Sequence, residues 1–289
     1  MIDFLKYKWL YFLISIIVIG CGMFAMVKWG FKYSIDFVGG TNLEYQADKT
    51  LKQVDVKKIF DKYKIPVENL TVKDKFIISR SKAIDENVQL QLKNDLEKQL
   101  KTKITLIKTE TVGPTLGRET MNKTWIAAII AVIGILLYMS YAFRGFNFAL
   151  AAILANVHDF FVVIGCYAIM SHFLGAEVDT MFVTAVLTSM SFSLHDTIVI
   201  FDKIREYRSE EGSANVAYFA NKALTETMVR SLNNSMTIIF MLLALTLLGG
   251  TTIKFLVATL LIGTITGTYS SPFIATPIVV WLEQRSKKK

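Results

Sequence analysis

Residues 181–208 read "MFVTAVLTSMSFSLHDTIVIFDKIREYR". The run from Met181 to Phe201 is apolar throughout most of its length. It is long enough to cross a hydrocarbon core of about 30 Å as a helix. His195 and Asp196 sit inside it, and Asp202, Lys203 and Arg205 follow within about two turns. A charged side chain placed mid-bilayer costs at least ~2.5–3.5 kcal/mol on insertion scales. Ser189, Ser193, Asp196 and Thr197 recur at three- and four-residue steps, so they share one face of that helix. A polar stripe of this kind cannot face lipid; it predicts a bundle interior or a wet cavity.

Working outward, five further apolar runs have spanning length: residues 9–27, 125–143, about 146–170, about 231–248 and 253–281. The first follows Lys6 and Lys8 as a signal peptide would. It is too long for a signal core and no small-residue cleavage site follows, so it reads as an uncleaved anchor. The last carries Pro272 and Pro277, which predicts a kinked or tilted end. Of the 289 residues, 53% are hydrophobic, and the mean hydropathy is +0.42. That is too apolar for a soluble domain of this size. Charge concentrates instead in roughly residues 32–120. The expected class is a membrane protein of six transmembrane helices with one extracytoplasmic α+β domain between helices 1 and 2. The expected division is 1–30 (tail and helix 1), 31–121 (extracytoplasmic domain) and 122–289 (helices 2–6 and a C-terminal tail).

Orientation follows from Lys and Arg in the short segments. With the N-terminus in the cytoplasm, the cytoplasmic segments carry Lys6, Lys8, Arg144, Lys203, Arg205, Arg208, Lys222, Arg230, Arg285 and Lys287–Lys289. The opposite short loops, "SHFLGAEVDT" and "GGTTIK", hold only Lys254 between them. Both termini are therefore expected in the cytoplasm. The net charge of +8 is a consequence of topology and needs no nucleic acid. Cys21 and Cys166 lie in apolar runs, and neither a disulfide framework, a metal site nor a cofactor motif is indicated.

The inserted domain has its own pattern. "NLEYQA" alternates as a strand does. "LKQVDVKKIFDKYK" places Leu51, Val54, Ile59 and Phe60 at helical spacing. "VENLTV" and "KFIISR" read as two strands around Lys73-Asp74. "DENVQLQLKNDLEKQL" is an amphipathic helix with Leu92, Leu96 and Leu100 spaced by four, and "KITLIKTETV" is a last strand. The order β-α-β-β-α-β is the ferredoxin-like arrangement. It contains no nucleophile with a base, so an enzyme is not expected. Before it, "SIDFVGGT" (34–41) reads as a strand ending in a Gly-Gly turn. After it, "TVGPTLGRET" (111–120) reads as a linker with a hinge.

Two more ionisable residues fall in a span. His158 and Asp159 in "ANVHDFFVVIG" lie about twelve residues into the third run, and with His195, Asp196 and Arg230 they are the candidate proton-relay residues. That is roughly 18 Å deep at about 1.5 Å per residue. Arg230 opens the fifth run, with Asn233 and Asn234 a turn deeper. The fourth helix ends where the fifth begins, so Arg230 and Asp196 are expected at similar depth. An arginine beside a buried carboxylate favours its ionised form while desolvation favours the neutral one. A near balance suits a proton relay; a static ion pair joining two helices is the alternative. "GTITG" (263–267), with Ser270 and Ser271 beyond, reads as a small-residue packing stripe without chemistry.

Taken in order, these segments resemble the SecD/SecF family of protein-export membrane proteins. "IDFVGGT", with Asp36, Phe37, Gly39, Gly40 and Thr41, resembles the family's D-F-x-G-G-T. "VGPTLG", with Gly113 and Pro114, resembles its V-G-P-x-x-G. "HDFFVVIG" resembles its L-H-D-x-x-x-x-x-G. "SFSLHDTIVIFDKIREYR", with Asp202 and Arg205, resembles its G-x-S-x-N-D-T-I-V-V-F-D-R-I-R-E-N, and "LLGG" its F-G-G. The resemblance implies the half-unit bundle of the RND superfamily, lodged in the bacterial cytoplasmic membrane. It implies SecD as partner, association with the SecYEG translocon and contact with a translocating polypeptide, driven by the proton-motive force. It places the relay carboxylate on Asp196 and its basic partner on Arg230. The chain departs from the pattern at His195 (Asn in the family), Lys203 (Arg), Ser191 (Gly) and in lacking a His before Arg230. A proton-driven exporter of small molecules or lipids, and a passive translocase scaffold, stay open beside that reading.

Overall fold

A computed structural model describes residues 3–63, 65–143, 145–212, 215–250 and 252–286. Arg144 and Lys287–Lys289, which carry part of the charge asymmetry, lie outside the described residues. The chain forms two compact units, one of Tyr33–Trp125 and one of Met1–Lys32 with Ile126–Lys289.

The Tyr33–Trp125 unit opens on a single helical turn, α1, Ile35–Val38. The predicted strand does not form here. Ser34 accepts the Asp36 amide at 3.2 Å. A serine in that position caps a helix start. Gly39 ends the turn at φ 76°, ψ 167°. That region is essentially reserved for glycine. Then follow β1 (Gly40–Ala47), α2 (Gln53–Lys62), β2 (Val67–Lys73), β3 (Phe76–Ser81), α3 (Glu86–Leu100) and β4 (Ile104–Val112). The sheet order is β2-β3-β1-β4, with every neighbouring pair antiparallel. This is the expected ferredoxin-like arrangement.

Its core gathers Leu43, Tyr45 and Ala47 from β1, Ile77 from β3, Ile104 from β4 and one stripe of each helix. On α3, Leu92 and Leu96 are fully buried and Leu100 packs at the margin, as their spacing predicts. On α2, the buried residues are Val56, Ile59 and Phe60. Val54 is 66% exposed, a correction to the predicted face. Val56, Ile59 and Phe60 follow steps of three and one around a single side, and Val54 stands off that side.

The strand β4 runs directly into a long helix, α4 (Pro114–Ala142), and the predicted hinged linker does not exist. Pro114 supplies a pre-set φ at the helix start, where its missing N–H is not needed. Gly117 then lies against the α1 turn: a Cβ there would meet the Gly39 nitrogen at 2.8 Å, and a Cβ on Gly39 would meet the Pro114 Cα at 2.8 Å. Phe37 is 1% exposed beneath this contact. Thr41 is buried, pairs with Thr111 at 3.1 Å and accepts the Ile84 amide at 2.9 Å. Phe37, Gly39, Pro114 and Gly117 thus meet in close packing, and Thr41 is fixed by hydrogen bonds.

The other unit is a helical bundle. It contains a helix at Lys8–Trp29, which with its preceding turn spans Phe4–Trp29, followed after α4 by α5 (Phe146–Leu174), α6 (Thr180–Glu210) and α7 (Val216–Leu248). A last helix runs from Lys254 to Ser286, in the segments Lys254–Ser270, Ser271–Ala275 and Thr276–Ser286. All six are long and apolar enough to cross a membrane. Several outrun their apolar stretches. The α7 helix begins at Val216 because Val216, Phe219, Ala220 and Ala223 bury one stripe before the hydrocarbon run starts. The middle segment of the last helix, at Pro272, is a π turn. Proline lacks the N–H and crowds the carbonyl four residues back, and a widened turn relieves both.

The helices α5, α6 and the last one form the buried interior, while Lys8–Trp29, α4 and α7 are largely exposed. Phe143 and Phe148 meet Phe201 edge-on at 5.4 and 5.3 Å. One end of the bundle is tied by polar contacts. Glu283 accepts from Asn147 and from Arg208, each at 2.7 Å. Asn221 accepts the Phe4 amide at 3.0 Å and donates to Asp3 at 2.9 Å.

Candidate functional site in the bundle interior

The polar stripe of α6 faces inward, as its spacing requires. Ser189, Ser193 and Thr197 are at most 3% exposed and Asp196 is 9% exposed. The stripe is accommodated because the facing helix has no side chain at Gly263 and Gly267. A Cβ on Gly267 would stand 2.9 Å from the Ser193 Cα. Close approach lets hydroxyls meet across the seam: Thr197 pairs with Ser271 at 2.8 Å, and Ser271 donates to the Ser193 carbonyl at 3.2 Å.

Asp196 points toward α7. Ser235 donates to its Oδ2 at 3.4 Å, and Ser231 stands on the same side. Beside it is a cavity of about 20 Å³ lined by Ser193, His195, Asn234, Ser235, Thr264 and Thr268 among others. That is room for about one water among polar partners. His195 is exposed yet reaches this cavity, one residue round the helix from Asp196.

The structure does not bring Arg230 to Asp196. Arg230 is exposed, and Ser231 and Ser235 occupy the side of α7 that approaches the carboxylate. Arg230 lies one turn before Asn234, which lines the Asp196 cavity, so it shares that face of α7, yet no hydrogen bond or ion pair joins it to Asp196 among the described residues. Asp202 and Arg205 pair with each other at 3.2 Å near the end of α6, both at least partly exposed.

Asp159 is the more deeply enclosed carboxylate, at 3% exposure. Its Oδ2 accepts the hydroxyls of Ser193 and, at 2.6 Å, of Ser270. Its Oδ1 meets Nδ1 of His158 at 2.8 Å. The sequence pairs Asp159 with His158, and the structure joins them. Ser270 and Ser271, read above as part of a packing stripe, prove to be members of the polar seam. Their signal was present in the residue type: a hydroxyl beside a proline-widened turn, facing a serine-lined helix. Ser231 and Ser235 carry no such mark. Asn156, a turn before Asp159, is 2% exposed, and its amide atoms have no hydrogen-bond partner among the described residues.

The family model described as "Protein export membrane protein SecD/SecF, C-terminal" matches residues 91–285, and the one described as "SecD/SecF GG Motif" matches residues 24–51. The chain is 37% identical to the protein translocase subunit SecF of Thermobaculum terrenum, covering 99% of this chain and 95% of that protein. It is 35% identical to the subunit of the same name from Anaerolinea thermophila, covering 97% and 94%. Among solved structures it resembles the crystal structure of SecDF, a translocon-associated membrane protein, from Thermus thermophilus. The TM-score is 0.85 at 27% identity, over 98% of this chain. The chain spans 39% of that longer SecDF chain.

Proposed function

Because the chain belongs to the SecD/SecF family of protein-export membrane proteins, we propose that it couples the proton-motive force to protein translocation as the SecF-type partner of SecD. Membership in the family carries the coarser statement, a multi-pass bacterial membrane protein serving translocation with SecD. The finer reading adds the energy source, the SecYEG translocon and direct contact with the translocating polypeptide. It also adds the topology, with both termini in the cytoplasm and residues 31–121 outside.

One observation carries it: a carboxylate, Asp196, set among hydroxyls in the bundle interior beside a cavity with room for about one water. Burial favours the neutral acid, and hydroxyl donors favour the carboxylate. Small movements of α7 against α6 alter how many donors reach Asp196, and so its proton affinity. A carboxylate that binds and releases protons as two helices shift converts a proton gradient into movement. The Tyr33–Trp125 unit, whose strand β4 leads into α4, is the element such movement would act upon, and through it the polypeptide.

The test is Asp196→Asn in vesicles holding SecD and the translocon. The amide keeps the shape and loses the titration. We expect normal insertion and assembly, with translocation no longer stimulated by the proton-motive force. A passive scaffold would tolerate the isostere, so full stimulation in this variant overturns the reading.

A further inference from the structure

Polar contacts continue in the bundle interior beyond the Asp196 site. Its second carboxylate, Asp159, is held by Ser193, Ser270 and His158. Two side chains at nine-tenths burial or more stand beside it with polar atoms that have no partner among the described residues. They are Nε2 of His158, whose side chain is 10% exposed, and both amide atoms of Asn156. Buried polar atoms are paired in the great majority of cases, so each exception calls for a partner such as a water or ion, for strain, or for a chemical role.

The groups facing each carboxylate can be named element by element. Asp159 meets His158 on its own helix, Ser193 on α6 and Ser270 on the last helix. Asp196 meets Ser231 and Ser235 on α7, with His195 beside it and Thr264 and Thr268 across the cavity. Among the described residues, His158 is the one titratable side chain that contacts Asp159, and no salt bridge reaches Asp196.

Ser193 joins the two. Its hydroxyl donates to Asp159, and the same residue lines the Asp196 cavity. Asp196 lies three residues further along α6, about 4.5 Å by helical rise. Ser270 also donates to Asp159 but does not line that cavity.

We propose that Asp159 is a second protonation site in series with Asp196, and that the Ser193 hydroxyl is the link through which a proton passes between them. The proposal rests on the reading of Asp196 as a proton carrier. A proton bound at Asp159 Oδ2 makes that oxygen a donor. Ser193 accepts it at Oγ while its own hydroxyl proton leaves through the cavity to Asp196. Only O–H bonds break and form, the serine is regenerated, and one proton has moved. His158 donates from Nδ1 to the emptied carboxylate and carries at Nε2 a further position for a proton.

The test compares Ser193→Ala with Ser270→Ala in the full chain, assembled with SecD and the translocon in vesicles. Each variant removes one hydroxyl from the same oxygen of Asp159, and only Ser193 also lines the Asp196 cavity, so a role confined to holding Asp159 does not single out Ser193. A positioned proton-transfer group contributes roughly a hundredfold or more to a rate. Ser193→Ala is therefore expected to slow proton-motive-force-driven translocation by about a hundredfold, and Ser270→Ala by far less. Asp159→Asn is expected to match Ser193→Ala and to remove one limb of the pH profile. Equal loss in the two serine variants, or an unchanged rate and pH profile in Asp159→Asn, overturns the proposal. Should Asp159→Asn fail to assemble, the serine pair decides. A wild-type response in Ser193→Ala together with loss in Asp196→Asn removes the link and leaves the proposed function standing. Stimulation that survives Asp196→Asn removes the proposed function itself.

Discussion

Tyr45 shows how a single buried polar atom sets a pH limit. Its ring is 1% exposed in the core of the α+β unit, and its hydroxyl has no hydrogen-bond partner among the described residues. Burial pushes its pKa up from the ordinary value of 10.0 to about 12. The cause is that the phenolate is poorly solvated there. A folded-state pKa above the unfolded one means stability that is fully present below the unfolded value and is lost as pH rises toward the folded one. The unit should therefore lose stability between about pH 10 and 12, as tyrosinate absorbance follows unfolding. Tyr45→Phe removes a hydroxyl that makes no bond among the described residues. Its Tm should be unchanged or higher, and its alkaline loss should be reduced. A clear fall in Tm at neutral pH would show that the hydroxyl has a partner. Arg230 teaches a related lesson. Its place in the chain suggested depth, but shared depth does not by itself make a contact.

At the scale of elements, two glycine contacts test what the motifs do. Gly117 in α4 and Gly39 at the end of α1 each leave no room for a Cβ. Gly117→Ala should cost about 1–3 kcal/mol from overpacking. Gly39→Ala should cost more, since its φ is 76°. Any side chain is strained in that region. Gly134 lies in the same helix as Gly117 with open space around it. Gly134→Ala should therefore be neutral or slightly stabilising. Thermal unfolding of the three variants would rank them. If Gly117→Ala and Gly134→Ala unfold together, the close approach is not needed. The family motif around these residues was legible as letters, yet its job was not. A sequence shows that glycines recur but not that Gly39 and Gly117, at opposite ends of the inserted domain, touch.

For the molecule as a whole, α7 raises the question of what covers it. Arg230, Asn233 and Asn234 are exposed on a helix otherwise rich in leucine and isoleucine. Polar groups of that kind in hydrocarbon are costly and turn toward protein or a wet cavity. Family membership supplies SecD as a membrane-embedded partner. A cysteine placed at Asn233 is expected to be shielded from maleimide when SecD is co-expressed. Equal labelling with and without SecD would remove this face from the interface. Much of the architecture was readable from the chain alone. Hydrocarbon thickness sets span length, and alternation and four-residue spacing distinguish strand from helix, so six spans and the β-α-β-β-α-β order followed directly. The inward stripe of Ser189, Ser193, Asp196 and Thr197 followed for the same reason. Tertiary structure alone decided the partners. Ser193 and Ser270 on Asp159 and Ser235 on Asp196 depend on how the helices rotate and cross. Periodicity specifies which residues share a face, and only packing specifies what that face meets.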